Sequence, residues 1–414
     1  MGSLNKTGNF APAKTGMSLR RAVCVLLLAA LAGCQSPNIQ TQRKEAYGRW
    51  NTNRAKMLYG MASEHLKNGQ LDKAQIRIRE ALALDGEFME ARLLLGKVYI
   101  EQGFYDQAVG QIQSVVKTHP DVGEAVFLLA VAQEKNKQLD LALENYHKAY
   151  ALDDRNPTAV TSAAEVLVQL GRVEEAQRHV ESYLSTLKDD PTIHEIAGRL
   201  ALMAGQTHKA VEYYRRAQNL DHQNIPYRES LARAYFYDGQ LAKAEQTLTS
   251  MLEMKGFTPS LWYHAMLGEC YLGLNRPRDA KRAFEAATQL KPSDADAWSN
   301  LAKAMLVYGD LERSSLSARQ ALDLEPAHLE ATLTLGYVMV RKGQAEQAVP
   351  MLRQAVRAHP DNGMLLLVLG RALAQSGNRV QAEECYAQAV RLDPQNQAAR
   401  ELLAALRSQE MQTN

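Results

Sequence analysis

The side chains with the greatest potential for chemistry in this 414-residue chain are its four cysteines, Cys24, Cys34, Cys270 and Cys385. A thiolate can act as a nucleophile or a metal ligand, and two thiols can form a disulfide. The sequence contains no C-x-x-C pair, and Cys270 and Cys385 lie far apart inside helical patterns, which is typical of buried thiols acting as small hydrophobic residues. Cys34 differs from the others because it directly follows an apolar run, residues 22–32, and Gly33.

This apolar run has the features of an export signal. Its eleven residues are too few for a helix that spans a bilayer, which needs about 20. The length matches the apolar region of a signal peptide. Lysine and arginine precede the run, and the first acidic residue of the chain is Glu45. The sequence therefore predicts a signal peptide over residues 1–33, with either Met1 or Met17 as its start.

The four residues LAGC at 31–34 resemble the lipobox of bacterial lipoproteins. The resemblance implies cleavage before Cys34 and attachment of lipid to that residue. Gln35, at the position that follows, implies export to the outer membrane, where the protein would face the periplasm. The alternative is an ordinary secretory signal that happens to contain a cysteine.

Outside this segment we find no pattern of catalytic or metal-binding residues. The P-loop, zinc-protease, nucleophile-elbow and dinucleotide-binding motifs are all absent from the sequence. His119 and His359 each precede a proline in equivalent turns, and Asp294 and Asp296 fall at a predicted helix start, where acidic residues complement the helix dipole. We therefore expect neither enzymatic activity nor a cofactor or metal site.

The charge balance also restricts the class of partner. The chain has 48 basic and 46 acidic residues and a net charge of +2. Nucleic-acid binding usually needs a concentrated basic surface, so the sequence predicts no nucleic-acid partner.

The dominant pattern is an internal repeat of 34 residues. Ten anchor positions follow apolar-periodic segments, and eight of them are glycine, the residue that most readily ends a helix in the left-handed conformation. One step is 36 residues long and contains the segment 254–260. The anchors are Gly69, Gly103, Lys137, Gly171, Gly205, Gly239, Asn275, Gly309, Gly343 and Gly377.

Small residues recur in register with these anchors. Every residue seven positions before an anchor is glycine or alanine, and nine of the ten residues five positions after an anchor are alanine. Such spacing predicts a pair of helices in close contact around each turn. Since one hairpin cannot bury its own apolar face, neighbouring hairpins must stack.

The repeat resembles the tetratricopeptide repeat (TPR). Trp298, Leu301, Ala302, Ala321 and Pro326 fall on signature positions of that family. The resemblance implies an all-α, right-handed α-solenoid of about ten helix-turn-helix hairpins with a C-terminal capping helix. We assign residues 34–53 to a polar tether, 54–395 to the solenoid, and 396–414 to the capping helix and tail.

In this family the first helix of each hairpin lines a concave groove that binds proteins or peptides. The positions six and three before each anchor form a charged track and an apolar track here. Stacked repeats would place Arg199 and Arg233 side by side, near Glu195 and Glu229, which could instead neutralise them. The predicted groove residues are Lys97, Glu165, Arg199, Glu229, Arg233, Phe236, Tyr237, Glu269, Lys303, Tyr337 and Arg371.

These features together predict a lipid-anchored scaffold that binds cell-envelope proteins or peptides. Similar lipoproteins assist in the assembly of type IV or tight-adherence pili or in secretion, which is the first interpretation. The alternatives are a component of exopolysaccharide synthesis or export, and a regulatory arm for an enzyme on another chain. The sequence leaves the oligomeric state open.

Overall fold

Short helices joined by tight turns make up almost all of the chain that the structure describes. The computed structural model describes residues 39–154 and 156–413, and within these ranges it contains helices but no strand. The chain divides into two compact units, of which the first ends at Asp154.

Each unit is a series of helical hairpins. The described part of the first unit contains α1 (Ile39–Lys67), α2 (Leu71–Leu84), α3 (Met89–Glu101), α4 (Tyr105–Thr118), α5 (Gly123–Lys135) and α6 (Leu139–Leu152). The second begins with α7 (Pro157–Gln169), α8 (Val173–Tyr183), α9 (Pro191–Met203), α10 (Thr207–Leu220), α11 (Ile225–Tyr237), α12 (Leu241–Met251), α13 (Leu261–Gly273) and α14 (Pro277–Leu290). It continues with α15 (Ala295–Tyr308), α16 (Leu311–Leu324), α17 (Leu329–Arg341), α18 (Ala345–Ala358), α19 (Gly363–Gln375), α20 (Arg379–Leu392) and α21 (Gln397–Thr413).

Consecutive helices pair from α1–α2 to α19–α20, which gives three hairpins in the first unit and seven in the second among the described residues. The predicted all-α fold of about ten hairpins is therefore confirmed. The final helix, α21, packs on α20 and buries Ala399 and Leu406. It occupies the place that the sequence predicts for a capping helix.

The turn inside each hairpin has the same backbone geometry. All ten anchors have positive φ, including Lys137 at 61° and Asn275 at 56°. In each turn the backbone N–H of the residue after the anchor donates to the carbonyl five residues earlier, with N···O distances of 2.8–2.9 Å. This is the Schellman arrangement, which satisfies carbonyls that the end of a helix leaves without partners.

The two helices of each hairpin meet through the predicted small residues. The ten residues five positions after an anchor, nine alanines and Ser314, have no exposed surface. Where the first-helix residue seven positions before the anchor is glycine, a large side chain nine positions after the anchor fills the space beside that glycine. A Cβ built at Gly268 would lie 2.5 Å from Phe284 Cζ, and one at Gly336 would lie 2.6 Å from Leu352 Cδ2.

The segment assigned to a polar tether differs from the expectation, because it is helical from Ile39 onward and forms the first half of α1. This part of α1 contains no proline, and its one glycine, Gly48, costs a helix only about 1 kcal/mol. All ten residues from 41 to 50 are exposed, so the polar composition reflects exposure rather than the lack of a helix.

The predicted signal peptide, residues 1–33, and the predicted lipid attachment at Cys34 lie outside the described residues. Among the helices that the structure describes, none is long and apolar enough to cross a bilayer.

We predict that Gly268→Ala destabilises the hairpin α13–α14 by about 1–3 kcal/mol, since the added methyl group would overlap the rigid ring of Phe284. Hydrogen exchange of amides in these two helices measures this loss locally, which suits a repeat array whose units couple mainly to their neighbours.

Gly110→Ala is the matched control, because Gly110 lies inside α4 and nothing lies within 4 Å of the position that the added methyl group would take. It should stabilise α4 by about 0.5–1 kcal/mol through helix propensity. Equal protection of α13–α14 in the wild-type and Gly268→Ala proteins would contradict the packing argument.

Candidate partner-binding groove

A pocket of about 320 Å³ lies between the first helices of two adjacent hairpins, α7 and α9. Its wall combines an apolar floor with one acidic and one basic side chain. Three lining residues, Glu165, Val168 and Arg199, occupy the two tracks predicted for a groove. The α7–α9 pocket is lined by Glu165, Val168, Gln169, Ile196, Arg199, Leu200 and Met203.

The polar part of this pocket is an ion pair between adjacent hairpins. Arg199 Nη2 donates to Glu165 Oε1 at 2.7 Å, and the two side chains are 46% and 49% exposed. Burial alone would lower the pKa of Arg199, but the bond to Glu165 and the charge of Glu195 outweigh it and raise the pKa. An ion pair this exposed contributes about 0.2–1 kcal/mol, so a ligand can replace either partner at small cost.

Glu195 lies one turn before Arg199 on α9 and is half-buried. Burial raises its pKa, the charge of Arg199 lowers it, and the charge of Glu165 raises it again. Burial likewise raises the pKa of the Tyr214 phenol on α10 well above its usual value, with a further contribution from Glu195. Arg199 thus bonds directly to Glu165, while Glu195, which the sequence offers as an alternative, acts on it through its charge.

Two more contacts join the charged track of neighbouring hairpins in the same way. Lys303 Nζ lies 3.9 Å from Glu269 Oε2. The Arg371 guanidinium lies 5.9 Å from the ring centroid of Tyr337. In both pairs, as in Glu165–Arg199, the residues are 34 apart in sequence. The repeat period therefore makes residues of one track lateral neighbours.

Arg233 departs from this pattern. Its guanidinium lies 5.2 Å from the ring centroid of Trp262 at the start of α13, and among the described residues it forms no ion pair. Its counterpart in the next hairpin, Glu269, faces Lys303 instead. The 36-residue step falls between these hairpins, with a non-helical segment over 252–260 in which Gly256 has φ +84°. Arg199 and Arg233 therefore have separate partners, Glu165 and Trp262.

Aromatic surface lies on the same helix as Arg233. The rings of Phe236 and Tyr237 are 5.7 Å apart, and Tyr237 is 59% exposed while Phe236 is half-buried. Glu229 is also half-buried on α11. Arg233, Phe236 and Tyr237 together give α11 a cationic and aromatic surface. This composition is typical of residues that dominate protein-binding energy.

Lys97, the predicted groove residue of the first unit, has a partner within that unit. Its Nζ lies 2.8 Å from Glu124 Oε1 at the start of α5. The structure thus places every predicted groove residue on a first helix. It pairs Lys97, Glu165, Arg199, Glu269 and Lys303 with neighbours of opposite charge.

Sequence reasoning missed Trp262 and the floor of the pocket, Ile196, Leu200 and Met203. These residues do not share the two predicted tracks. The distance in sequence between Arg233 and the start of the next first helix is the one signal that could have indicated the contact of Arg233 with Trp262.

The described residues contain no group of three or more histidine, cysteine, aspartate and glutamate side chains able to hold a metal ion. Burial raises the pKa of the Cys270 thiol to about 12 and also raises the pKa of Cys385, which suppresses the reactive thiolate.

Comparison with known families gives three matches. Two tetratricopeptide-repeat models match residues 59–103, 93–157 and 133–200. The model of the cilia and flagella-associated protein 70 C-terminal domain matches residues 255–414.

Three curated proteins are similar at low identity. The chain is 25% identical over 158 residues to anaphase-promoting complex subunit 3 of Schizosaccharomyces pombe, covering 38% of this chain and 24% of that protein. It is 27% identical over 169 residues to cellulose synthase operon protein C of Pseudomonas fluorescens, covering 39% of this chain and 13% of that protein. It is 26% identical over 207 residues to type IV pilus assembly protein PilF of Pseudomonas aeruginosa, covering 50% of this chain and 68% of that protein.

The chain thus spans about a quarter or less of the first two relatives. Among solved structures, it is similar to the APC/C hetero-tetramer Cut9-Hcn1, with a TM-score of 0.48 and 14% identity over 93% of this chain and 82% of that one. The matched repeat models, the 34-residue period and the ten hairpins of the described residues agree, and the chain carries an array of tetratricopeptide repeats, which form a helical scaffold for protein interactions.

Proposed function

We propose that this protein is a lipid-anchored scaffold on the periplasmic face of a bacterial outer membrane, and that it binds an envelope protein through the first helices of the second unit. The observation that carries the binding role is the α7–α9 pocket, where an apolar floor and an exposed ion pair meet on predicted groove positions. The lipobox-like sequence ending at Cys34 supports the anchoring role.

The chemistry of the pocket indicates the kind of segment it accepts. Its volume suits one or two side chains, and Val168, Ile196 and Met203 offer apolar contact to them. The carboxylate of Glu165 and the guanidinium of Arg199 can exchange their mutual bond for bonds to the backbone or charged groups of a partner. An extended peptide or an amphipathic helix with an apolar anchor residue meets both requirements.

The machinery that we favour for this scaffold is the assembly of type IV or tight-adherence pili, or secretion. The similarity to PilF covers 68% of that protein and half of this chain, a larger share of both than the other two curated relatives reach. The second candidate is exopolysaccharide synthesis or export, which the similarity to cellulose synthase operon protein C favours.

We predict that the double variant Arg199→Ala, Arg233→Ala retains its helical content but loses its main envelope partner. An arginine at the centre of an interface contributes about 2 kcal/mol, which corresponds to a loss of about 30-fold in affinity for each residue. Recovery of the partner with the protein from detergent-solubilised membranes, quantified by mass spectrometry, measures the effect.

The matched control is Arg216→Ala, Arg282→Ala. These arginines lie on second helices, α10 and α14, are 51% and 68% exposed, and each lies 3.9 Å from an aspartate. If the two double variants recover the same partner in the same amounts, the first-helix face is not the binding site.

We also predict that Cys34→Ser prevents lipid attachment. The wild-type protein should carry the mass of acyl chains on Cys34 and fractionate with the outer membrane. The variant should remain unprocessed or leave that fraction, because stable anchoring needs two or more chains. A variant that migrates and fractionates like the wild type would contradict the lipobox interpretation.

A further inference from the structure

One side of α1, from Tyr47 to Met61, carries apolar side chains that the described residues leave exposed. Tyr47, Trp50, Met57 and Met61 are 68%, 52%, 59% and 42% exposed. Together with Arg54, whose guanidinium lies 5.0 Å from the Trp50 ring centroid, they recur every three or four residues. Such spacing places them on one side of the helix, which we call the α1 stripe.

The α1 stripe is separate from the face of α1 that packs on α2 in its hairpin. Ala55, Leu58 and Ala62 are buried, and α1 packs on α2 through this second face. The helix is therefore apolar on two sides for part of its length. The buried side is explained by the repeat fold, whereas the α1 stripe is not.

The charge of this segment is strongly positive. Residues 39–61 contain five basic side chains, Arg43, Lys44, Arg49, Arg54 and Lys56, and a single acidic one, Glu45. The segment has a net charge of +4, whereas the whole chain has +2. All three basic residues between 41 and 50 are exposed.

We propose that the α1 stripe docks on an anionic lipid surface, with α1 lying along the membrane. Tryptophan and tyrosine favour the boundary between headgroups and acyl chains, and basic side chains beside them bind anionic headgroups. The inference rests on the proposed anchoring for its geometry, since Cys34 precedes the start of α1 by only five residues. A lipid on Cys34 would hold the stripe next to the membrane.

The charge favours a lipid surface over a second copy of the chain. Pairing two α1 stripes would bring two segments of net charge +4 together, and like charges at an interface oppose association. An anionic surface instead complements this charge. The aromatic and methionine side chains supply the apolar contact that either occupant would need.

A tryptophan reporter in the full-length chain tests the proposal. The double variant Trp262→Phe, Trp298→Phe leaves Trp50 as the sole tryptophan, and the protein is mixed with vesicles that contain phosphatidylglycerol and brominated acyl chains. Brominated chains quench tryptophan only at close range. We expect a blue shift and strong quenching of Trp50, and weaker quenching in vesicles of phosphatidylcholine alone.

The matched control retains Trp298 as the sole tryptophan through Trp50→Phe, Trp262→Phe. Trp298 is half-buried on α15 and donates to the carbonyl of Pro292 at 2.8 Å, so it should not be quenched. In the Trp50 reporter, the added changes Arg43→Gln, Lys44→Gln and Arg49→Gln should weaken docking by about 100-fold, since each basic residue near an anionic surface contributes about a factor of five.

Two results would overturn the proposal. One is quenching of Trp50 no stronger than that of Trp298. The other is a concentration-dependent blue shift of Trp50 without vesicles, which would identify a second copy as the occupant. The mass of the peptide that contains Cys34 is measured on the same samples and shows whether the lipid is attached. Loss of the lipid anchor and failure of α1 to dock are thereby distinguished.

Discussion

Each hairpin of this protein closes because a residue with no exposed surface on the second helix lies against a glycine or alanine of the first. This position on the second helix accepts a polar residue only if the polar group of that residue has a hydrogen-bond partner. Ser314 replaces alanine in the hairpin α15–α16, and its hydroxyl donates to the carbonyl of Ala302 at 2.8 Å. Because a buried hydroxyl without a partner is costly, this bond is what makes serine acceptable.

The same constraint links residues that are distant in sequence. Glycine at the first-helix position accompanies a ring or a branched chain on the second helix, as for Gly198 with Tyr214 and Gly370 with Tyr386. Alanine at that position accompanies a small side chain, Ala318 or Val180, in two hairpins and a large one in the other three, Ile78, Tyr146 and Leu248. The exposed positions of the first helices carry no such requirement, and their side chains can vary with the partner.

The architecture can be predicted from sequence because its signals repeat. The left-handed turn is predicted at Asn275, where asparagine is the usual second choice after glycine, and even at Lys137, since period and register identify a position that residue type alone would not. The charged and apolar tracks likewise predict Glu165, Val168 and Arg199, which line one pocket.

Features that occur once are not predictable in this way. The stacking of Arg233 on Trp262 depends on the local change of register near residues 252–260, and the extension of α1 to Ile39 lies outside the repeat. In both cases a side chain or a segment is positioned by contacts that have no counterpart in the other hairpins. The repeat period therefore predicts the scaffold. The places where the chain departs from that period are where it differs from other repeat arrays.

The lateral contacts between adjacent hairpins set a condition on recognition. Glu165–Arg199 and Glu269–Lys303 join residues 34 apart, so a charge on one first helix is balanced by its neighbour before any partner arrives. A ligand must replace these exposed pairs, at a cost of about 1 kcal/mol or less for each, and a ligand without matching charges gains nothing from the exchange. Arg233 has no carboxylate to give up within the described residues, and its contact with Trp262 leaves the guanidinium edge able to donate. Arg233 can therefore bind an anionic group of a partner without first releasing a carboxylate.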